Sequence, residues 1–466
     1  MPSDDLCFAS AVDLADWIRA KRVSPVEVTQ AVLVRIERVN PALNAYCLVT
    51  ADAALAAARA VEAAIMRGER LGPLAGVPVS IKDLVITKGV RTTFGSWLYA
   101  DHVPDEDAPV VERLRQGGAV IVGKTTTPEF GWKGDTASPL LGISRNPWDV
   151  SKSPGGSSGG AAAAVAAGLA PLAVGTDGGG SIRIPGSFCG VFGLKPTYGL
   201  VPVYPAPSTG TLSHAGPMAR TVGDAALMLQ AMAGPDDRDP LSFPKTGQDF
   251  SVGAADGLRG LRVAWSPTFG YANVDPEVRQ LTEALARQCE GLGALVETIP
   301  QVFPDPDPIW APLFYTGIAA RILPRLPEWG DRIDPALVRV AQEYAPLSAV
   351  KWQEAVTARA AFIESVRRFF ERFDLLLSPT LPVPPFTAGA ERPPAPPAGS
   401  RLAWVAFTYP FNLTGQPAAT IPAGWTSGGL PVGLQIVGRR LDDLRVLRAA
   451  AALEAAAPWA QRRPPV

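Results

Sequence analysis

Histidine and cysteine are both scarce in this chain of 466 residues, which has two histidines and four cysteines. No two cysteines form a C-x-x-C pair, so the sequence predicts neither a zinc site nor a disulfide framework, and no metal or other cofactor is expected. His102 lies in the acidic segment DHVPDED and is expected to be exposed, whereas His214 is a catalytic candidate. With so little histidine, serine chemistry in this chain is expected to use a different base.

Long apolar runs and a strong charge imbalance are also absent. No apolar run approaches the length of a membrane span, and the first thirty residues lack a signal-peptide pattern. The formal net charge is −1, so the chain offers no basic patch of the kind that nucleic acid requires. Because 47% of the residues are hydrophobic, a sizeable core can form. These observations predict a cytoplasmic protein with neither membrane nor nucleic-acid partners.

The sequence does have a stretch rich in glycine and serine, residues 151–183, SKSPGGSSGGAAAAVAAGLAPLAVGTDGGGSIR. Two serine sites framed by glycine, residues 155–160 and 177–181, flank an alanine-rich run with strong helix propensity. Glycine lets the backbone approach a ligand closely, and bare N–H groups beside a serine are what an oxyanion hole needs. A flexible linker is the alternative, but apolar segments continue from this stretch. We therefore expect one catalytic centre built from both serine sites.

A lysine closes an apolar strand. Residues 74–83, LAGVPVSIKD, are typical of a buried strand, and Lys82 lies at its end. Burial disfavours the charged form of lysine and lowers its pKa, so a neutral Lys82 could accept the proton of a serine hydroxyl. The alternative is a lysine whose stem is buried while its ammonium reaches solvent.

Residues 118–125, GAVIVGKT, match the phosphate-binding Walker A pattern. A P-loop has its strand before the first glycine and a loop between the glycines. Here the four residues between Gly118 and Gly123 are themselves strand-like. The segment is therefore predicted to be a helix–strand unit that binds no phosphate.

Strand-like and helix-like segments alternate along the chain, which favours layered α/β architecture. No composition shift marks a domain boundary, and no repeat with a solenoid period is present. The proline-rich residues 381–399 are expected to form a surface loop.

Five segments together resemble the amidase signature family of serine hydrolases: SIKD, the GGSSGG box, TDGGGSIRIPGSFCGVFGLKPTYG, FNLTGQPAATIP and GLPVGLQIVG. The resemblance covers nearly the whole chain. It implies a single α/β domain with a large mixed, mostly parallel twisted β-sheet covered by helices on both faces. In that domain, residues 1–70 would supply N-terminal helices, 71–235 the catalytic core, 236–400 a variable substrate-pocket region and 401–466 the C-terminal return to the core.

The resemblance also implies a Ser–cis-Ser–Lys triad. Ser181 would be the nucleophile, Ser157 the bridging serine after a cis peptide, and Lys82 the base. An oxyanion hole is expected from four backbone N–H groups, those of Gly178, Gly179, Gly180 and Ser181.

Around this triad, Ser158 would be a supporting hydrogen-bonding residue, and Asp177 and Arg183 would form an ion pair that braces the nucleophile loop. Cys189 is expected to pack and not to act as a nucleophile. The candidate pocket residues are Gly131, Trp132, Trp310, Phe314 and Tyr315.

The resemblance implies hydrolysis of a C–N bond through a Ser181 acyl-enzyme. Aromatic and apolar residues in 303–370 favour a small apolar or aryl amide, or a carbamate, as the substrate of a stand-alone hydrolase. Aryl-acylamidase, urethanase or esterase side activity is expected with it. The alternative is a partner-dependent glutamine amidotransferase subunit of the transamidosome type, although no arginine-bearing motif for a glutamine α-carboxylate is found. All three triad positions are filled, which argues against a non-enzymatic scaffold. Family members are often dimers, so a homodimer is a further expectation.

Overall fold

The computed structural model describes residues 3–244, 247–252, 257–394 and 401–466, which form thirteen strands and fifteen α-helices. The strands are β1 (Tyr46–Val49), β2 (Pro78–Lys82), β3 (Val120–Thr125), β4 (Ala137–Ser138), β5 (Gly142–Ile143), β6 (Leu172–Asp177), β7 (Phe192–Lys195), β8 (His214–Ala219), β9 (Arg262–Trp265), β10 (Leu295–Thr298), β11 (Leu375–Pro379), β12 (Ala418–Trp425) and β13 (Pro431–Gly438). The helices are α1 (Ser3–Phe8), α2 (Ala11–Arg19), α3 (Pro25–Leu43), α4 (Ala51–Met66), α5 (Pro109–Gln116), α6 (Gly159–Ala166), α7 (Arg183–Cys189), α8 (Val222–Met232), α9 (Pro276–Gly291), α10 (Asp307–Ile322), α11 (Leu326–Trp329), α12 (Pro335–Tyr344), α13 (Ala349–Arg372), α14 (Pro410–Thr414) and α15 (Asp443–Ala456).

Eleven of these strands form one mixed sheet, in the order β1-β3-β2-β6-β8-β7-β12-β13-β11-β9-β10. The predicted mixed α/β sheet is confirmed, but parallel pairs do not predominate: among the described strands, six neighbouring pairs are antiparallel and four are parallel. Parallel neighbours need a crossover connection, and α5 between β2 and β3 and α9 between β9 and β10 provide one. In the middle of the sheet, a short turn joins β12 to β13, which forces them antiparallel.

Buried side chains alternate between two apolar clusters along the strands, because successive residues of a strand point to opposite faces of the sheet. On β11, Leu375 and Leu377 belong to one cluster and Leu376 belongs to the other. Helices α3, α8 and α15 contribute side chains to the first cluster, and α10, α12 and α13 contribute to the second. Helices therefore cover both faces of the sheet, as the resemblance implies.

The helices follow local signals in the sequence. Ser24 caps α3 with a capping box, in which its hydroxyl accepts from the Val26 N–H at 3.0 Å and the Glu27 carboxylate accepts from the Ser24 N–H at 2.9 Å. All eight residues of α6 are buried, and only small side chains fit: a Cβ on Gly160 would lie 2.5 Å from the Ala45 carbonyl oxygen. No helix within the described ranges combines the length and the apolar character needed to cross a membrane.

The proline-rich segment is only partly a surface loop. Leu381 and Phe386 are buried in the second apolar cluster, contrary to expectation, and the Phe386 ring packs edge-on against the rings of Phe188 and Trp404. The predicted loop residues 395–399 lie outside the described residues.

The Walker-like segment is a helix–strand unit, as predicted, because residues 120–125 are β3 itself. Lys124 is fully buried, and its ammonium donates to the Val85 carbonyl, to Thr87 Oγ1 at 3.1 Å and to Thr92 Oγ1 at 2.8 Å. Its Nζ lies 4.0 Å from the buried carboxylate of Asp83. Burial lowers the pKa of Lys124 to about 8 and raises the pKa of Asp83. This lysine therefore neutralises a buried acid.

We predict that Lys124→Met lowers the free energy of unfolding by about 3 kcal/mol, because the Asp83 carboxylate is left buried without its cation. Urea denaturation measures the loss. Lys88→Met, at an exposed lysine nearby, is the matched control and should change stability by less than about 0.5 kcal/mol. Equal stability of the two variants would contradict the role given to Lys124.

Candidate active site

Sheet topology brings three segments to one place. Strands β2 and β6 are parallel neighbours, with Ile81 opposite Val174, so their carboxyl ends lie at the same edge of the sheet. Lys82 is the last residue of β2, and the loop of residues 178–182 follows β6 directly. The GGSSGG box leads into α6, which packs against both strands. Lysine and both serine sites therefore converge as predicted.

Lys82 is completely buried, and its Nζ is surrounded by hydroxyl groups. The Ser157 and Ser158 Oγ atoms lie 2.8 Å from it, and the Thr176 Oγ1 atom lies 2.9 Å away. Burial lowers the pKa of Lys82 well below its ordinary value, and the charge of Asp177 offsets this only in part. The alternative of a lysine whose stem is buried while its ammonium reaches solvent is therefore wrong, because the Lys82 amine does not reach solvent.

A backbone hydrogen bond joins the two serine sites. The peptide bond between Gly156 and Ser157 is cis, as the resemblance implies. The N–H of Ser158 donates to the Ser181 carbonyl at 3.1 Å. Ser158 Oγ also donates to the Thr176 carbonyl at 3.1 Å and accepts from the Thr176 N–H at 3.2 Å. Ser157 and Ser181 keep only 2% and 8% of their surface exposed.

Asp177 and Arg183 form the expected ion pair, and both are completely buried. Arg183 Nε and Nη2 donate to the two carboxylate oxygens at 3.0 and 2.9 Å. Burial acts to raise the pKa of Asp177, but the Arg183 charge and hydrogen bonds hold it well below its usual range. The same carboxylate accepts from the N–H of Gly180 at 2.7 Å and from that of Ile182 at 3.2 Å, so it shapes the loop of residues 178–182.

This arrangement changes one expectation for the oxyanion hole. Because the Gly180 N–H donates to Asp177, it is not available to a ligand. The N–H groups of Gly178, Gly179 and Ser181 donate no hydrogen bond to the described residues. The sequence could not separate Gly180 from its neighbours, since the distinction depends on where the Asp177 side chain points.

Besides Asp177, three residues to which the sequence analysis assigned no role accept hydrogen bonds from Arg183. Its Nη1 donates to Gln435 Oε1 and to the Thr408 carbonyl, both at 2.8 Å, and its Nη2 donates to Asn412 Oδ1 at 2.8 Å. Asn412 and Gln435 lie in FNLTGQPAATIP and GLPVGLQIVG, two of the segments that carry the family resemblance. The resemblance pointed to these segments but not to the contact with Arg183.

Trp310 does more than line a pocket. Its indole N–H donates to the Gly178 carbonyl at 3.0 Å, and its ring stacks on Phe314 with 4.3 Å between centroids. A Cβ on Gly179 would lie 2.6 Å from the indole, so only glycine fits there. In a trans peptide the C=O and N–H point in opposite directions, so Trp310 fixes the direction of the Gly179 N–H. Thr408 Oγ1 likewise donates to the Gly179 carbonyl at 2.7 Å.

Two cavities meet at Ser181. The first is lined by Ser181 and by all five predicted pocket residues, together with Ile184 and Trp404. The second is lined by Ser157 and Ser181, and its walls include Phe94, Phe130 and Tyr204. Gly131, Ser181 and Phe314 line both cavities.

The wall shared by the two cavities is anchored to a buried acid. Glu129 accepts from Ser96 Oγ at 2.5 Å and from the Asp334 N–H at 2.7 Å, and burial raises its pKa to about 7. The indole N–H of Trp132 donates to the Asp334 carboxylate at 3.2 Å. Gly131 adopts φ +70°, and a Cβ there would lie 3.1 Å from Ser157 Oγ.

His214 is buried next to Asp177, the residue that precedes the loop of residues 178–182. Its Nδ1 lies 2.9 Å from the Leu212 carbonyl, and its Nε2 lies 3.3 Å from Lys195 Nζ. Burial and the Lys195 charge lower the pKa of His214 well below its ordinary value. Among the residues with described positions, no group of three or more His, Cys, Asp or Glu side chains could hold a metal ion.

Comparison with known proteins places this geometry in context. The Amidase family model matches residues 27–447. An acylamidase of Rhodococcus erythropolis is 41% identical, over 100% of this chain and 98% of its own. One of the glutamyl-tRNA(Gln) amidotransferase subunits of Moorella thermoacetica is 38% identical, over 99% of each chain.

Solved structures agree with these relatives. A bacterial aryl acylamidase of the amidase signature family is 33% identical and superposes with a TM-score of 0.91, over 97% of each chain. A 6-aminohexanoate cyclic dimer hydrolase is 30% identical with a TM-score of 0.87, over 98% of this chain and 99% of its own. The chain is a member of the Amidase family, the amidase signature enzymes.

Proposed function

We propose that this protein hydrolyses a small apolar or aryl amide, or a carbamate, through an acyl-enzyme on Ser181. The observation that carries the proposal is the fully buried Lys82 amine, 2.8 Å from the hydroxyl of Ser157, beside the cavity that Ser157 and Ser181 both line. A buried lysine with a lowered pKa is an activated base, which a serine hydroxyl requires.

The hydrogen bonds around Lys82 orient its lone pair. A neutral amine has two N–H donors and one lone pair. The Ser158 hydroxyl already donates to the Thr176 carbonyl, so its oxygen can only accept from Lys82. If the second N–H goes to Thr176 Oγ1, the lone pair faces the Ser157 hydroxyl. Ser158 and Thr176 are therefore positioning residues for the base.

In the first half of the reaction, Ser181 Oγ attacks the amide carbon and forms a C–O bond. Its proton passes to Ser157 Oγ, and the Ser157 proton passes to Lys82 Nζ. When the C–N bond breaks, the leaving nitrogen takes a proton from Ser157, which regains one from Lys82. A water molecule then repeats these steps on the ester and releases the acid.

The developing oxyanion is held by backbone N–H groups at the start of the nucleophile loop. Gly179 and Ser181 line the first cavity, and their N–H groups are not used within the described residues. The Gly178 N–H is the third candidate. Gly180 instead anchors the loop through Asp177, so its contribution is indirect. Losing one such donor typically costs about 3 to 4 kcal/mol of barrier.

The cavity walls support an apolar acyl or aryl group. Trp132, Trp310 and Phe314 supply aromatic surface around Ser181, and the relatives named acylamidase and aryl acylamidase are consistent with such a substrate. The glutamyl-tRNA(Gln) amidotransferase relatives, 36% to 40% identical, keep a partner-dependent glutamine amidotransferase as the second candidate.

The test is amine release from 4-nitroanilides of acetic and phenylacetic acid and from a matched aryl carbamate, with purified protein alone. We expect phenylacetyl to exceed acetyl in kcat/KM because it buries more apolar surface. Ser181→Ala should lose at least about 10³-fold in kcat. Ser365→Ala on α13 is the matched control, since Ser365 lines neither cavity and its hydroxyl donates to the Phe362 carbonyl at 2.8 Å. Its activity should stay within about threefold.

Two results would contradict the proposal. Retained turnover in folded Ser181→Ala would exclude Ser181 as the nucleophile. No release from any of the three substrates, together with ammonia release from glutamine once an amidotransferase partner is added, would favour the second candidate.

We also predict that Trp310→Phe lowers kcat about tenfold while KM changes less than about twofold, because the apolar wall is kept but the Gly179 N–H loses its orientation. Steady-state kinetics with the phenylacetyl anilide measures both constants. Trp132→Phe is the matched control in the same cavity, since its indole bonds Asp334. Equal loss of kcat in the two variants, or a change confined to KM, would refute the role given to Trp310.

A further inference from the structure

We infer that the second cavity is the subsite for the leaving amine and that Arg321, at its mouth, binds an anionic group on that amine. This inference rests on the proposed function, since it uses the direction in which the scissile bond lies. It names a substrate class: acylated aryl amines or amino acids that carry a carboxylate on the amine side.

The position of Ser157 gives the direction. Ser157 must hand its proton to the leaving nitrogen, so that nitrogen lies on the side of Ser181 where Ser157 is. Ser157 lines the second cavity, whereas the first cavity reaches Ser181 and Gly179 without Ser157. The acyl group therefore occupies the first cavity and the amine occupies the second.

Arg321 is held in place by two aromatic rings of the second cavity. Its guanidinium carbon lies 4.9 Å from the centre of the Phe130 ring and 5.9 Å from that of Phe94. Such contacts orient a guanidinium while leaving its N–H groups free to bond an anion. Phe130 is also next to Gly131, which approaches Ser157, so the ring links the arginine to the reacting centre.

No acidic residue in the lining of the second cavity balances the charge of Arg321. Among the described residues that line the second cavity, Arg321 alone carries a formal charge, because the others are apolar, hydroxyl-bearing or the neutral His214. Within the described part of the chain, Arg321 forms no ion pair or hydrogen bond. The first cavity differs because its cations lie among acids: Lys133 is paired with Asp334 at 3.0 Å, Arg401 is paired with Glu343 at 2.8 Å, and Glu391 lines the same cavity as Arg392. An apolar cavity with one unpaired cation at its mouth suits an aromatic ring that ends in a carboxylate.

The experiment compares three anilides of phenylacetic or succinic acid with wild-type protein and Arg321→Met. The first has 4-aminobenzoate as its amine, the second has neutral 4-nitroaniline, and the third is the succinyl 4-nitroanilide, whose carboxylate lies on the acyl side. We expect Arg321→Met to lower kcat/KM roughly fivefold for the aminobenzoate substrate alone, an effect that high salt reduces. Arg325→Met, at an exposed arginine one helical turn away that does not line this cavity, should change none of the three.

A second measurement does not depend on turnover. Calorimetry should show that 4-aminobenzoate binds wild-type protein more tightly than 4-nitroaniline does, and that Arg321→Met removes the difference. If no anilide is hydrolysed, the proposed function fails, and this binding result still decides whether the anion site exists. Equal binding of 4-aminobenzoate to wild-type protein and Arg321→Met, or a loss of kcat/KM confined to the succinyl substrate, would overturn the inference.

Discussion

The structure depends on one unusual burial: the amine of Lys82 is removed from water and surrounded by hydroxyl groups. Desolvating a charged ammonium is costly, and a lysine with no contacting carboxylate avoids that cost by losing its proton. Lys82 reaches this position because β2 lies inside the sheet, between β3 and β6. Its neighbours Ser157, Ser158 and Thr176 then decide which hydrogen bonds the amine can donate and accept.

Two other buried lysines show why the neighbours matter. Lys124 donates to the Val85 carbonyl and lies near the Asp83 carboxylate, and Lys195 donates to the Gln416 carbonyl. A carbonyl oxygen can only accept, so these two lysines act as donors. A hydroxyl can also give a proton back, but hydroxyl neighbours alone do not distinguish Lys82, because Lys124 also contacts Thr87 and Thr92 Oγ1. Of these three buried lysines, Lys82 alone is bonded to a serine that lines a cavity shared with Ser181.

The buried pair of Asp177 and Arg183 connects the loop of residues 178–182 to the C-terminal part of the chain. Asp177 fixes the loop of residues 178–182 through the Gly180 N–H, while Arg183 reaches Asn412 and Gln435, more than two hundred residues further along the chain. The C-terminal strands thereby hold the loop that carries Ser181. Removing either charge would leave the other buried without a partner, which typically costs about 3 to 5 kcal/mol.

Much of the site could be predicted from local sequence. Glycine framing marked both serine loops, and an apolar strand ending in lysine marked Lys82, because these signals lie within a few residues of the groups they describe. The strand-pairing pattern could not be predicted, since it depends on which distant strands become neighbours. The bond from Trp310 to Gly178 and the use of the Gly180 N–H were also missed, because each depends on the direction of one side chain within the folded protein.

If Lys82 is the base, its amine must be neutral at neutral pH. The most direct measurement is the ¹⁵N NMR signal of its Nζ in protein labelled at lysine, assigned by its loss in Lys82→Met and followed across pH. We expect a neutral-amine shift at pH 7 and a charged-amine shift only at lower pH, because burial depresses the pKa of Lys82 in the folded state. A Lys82 signal that stays charged at pH 7 and titrates near the ordinary value of about 10.4 would contradict it.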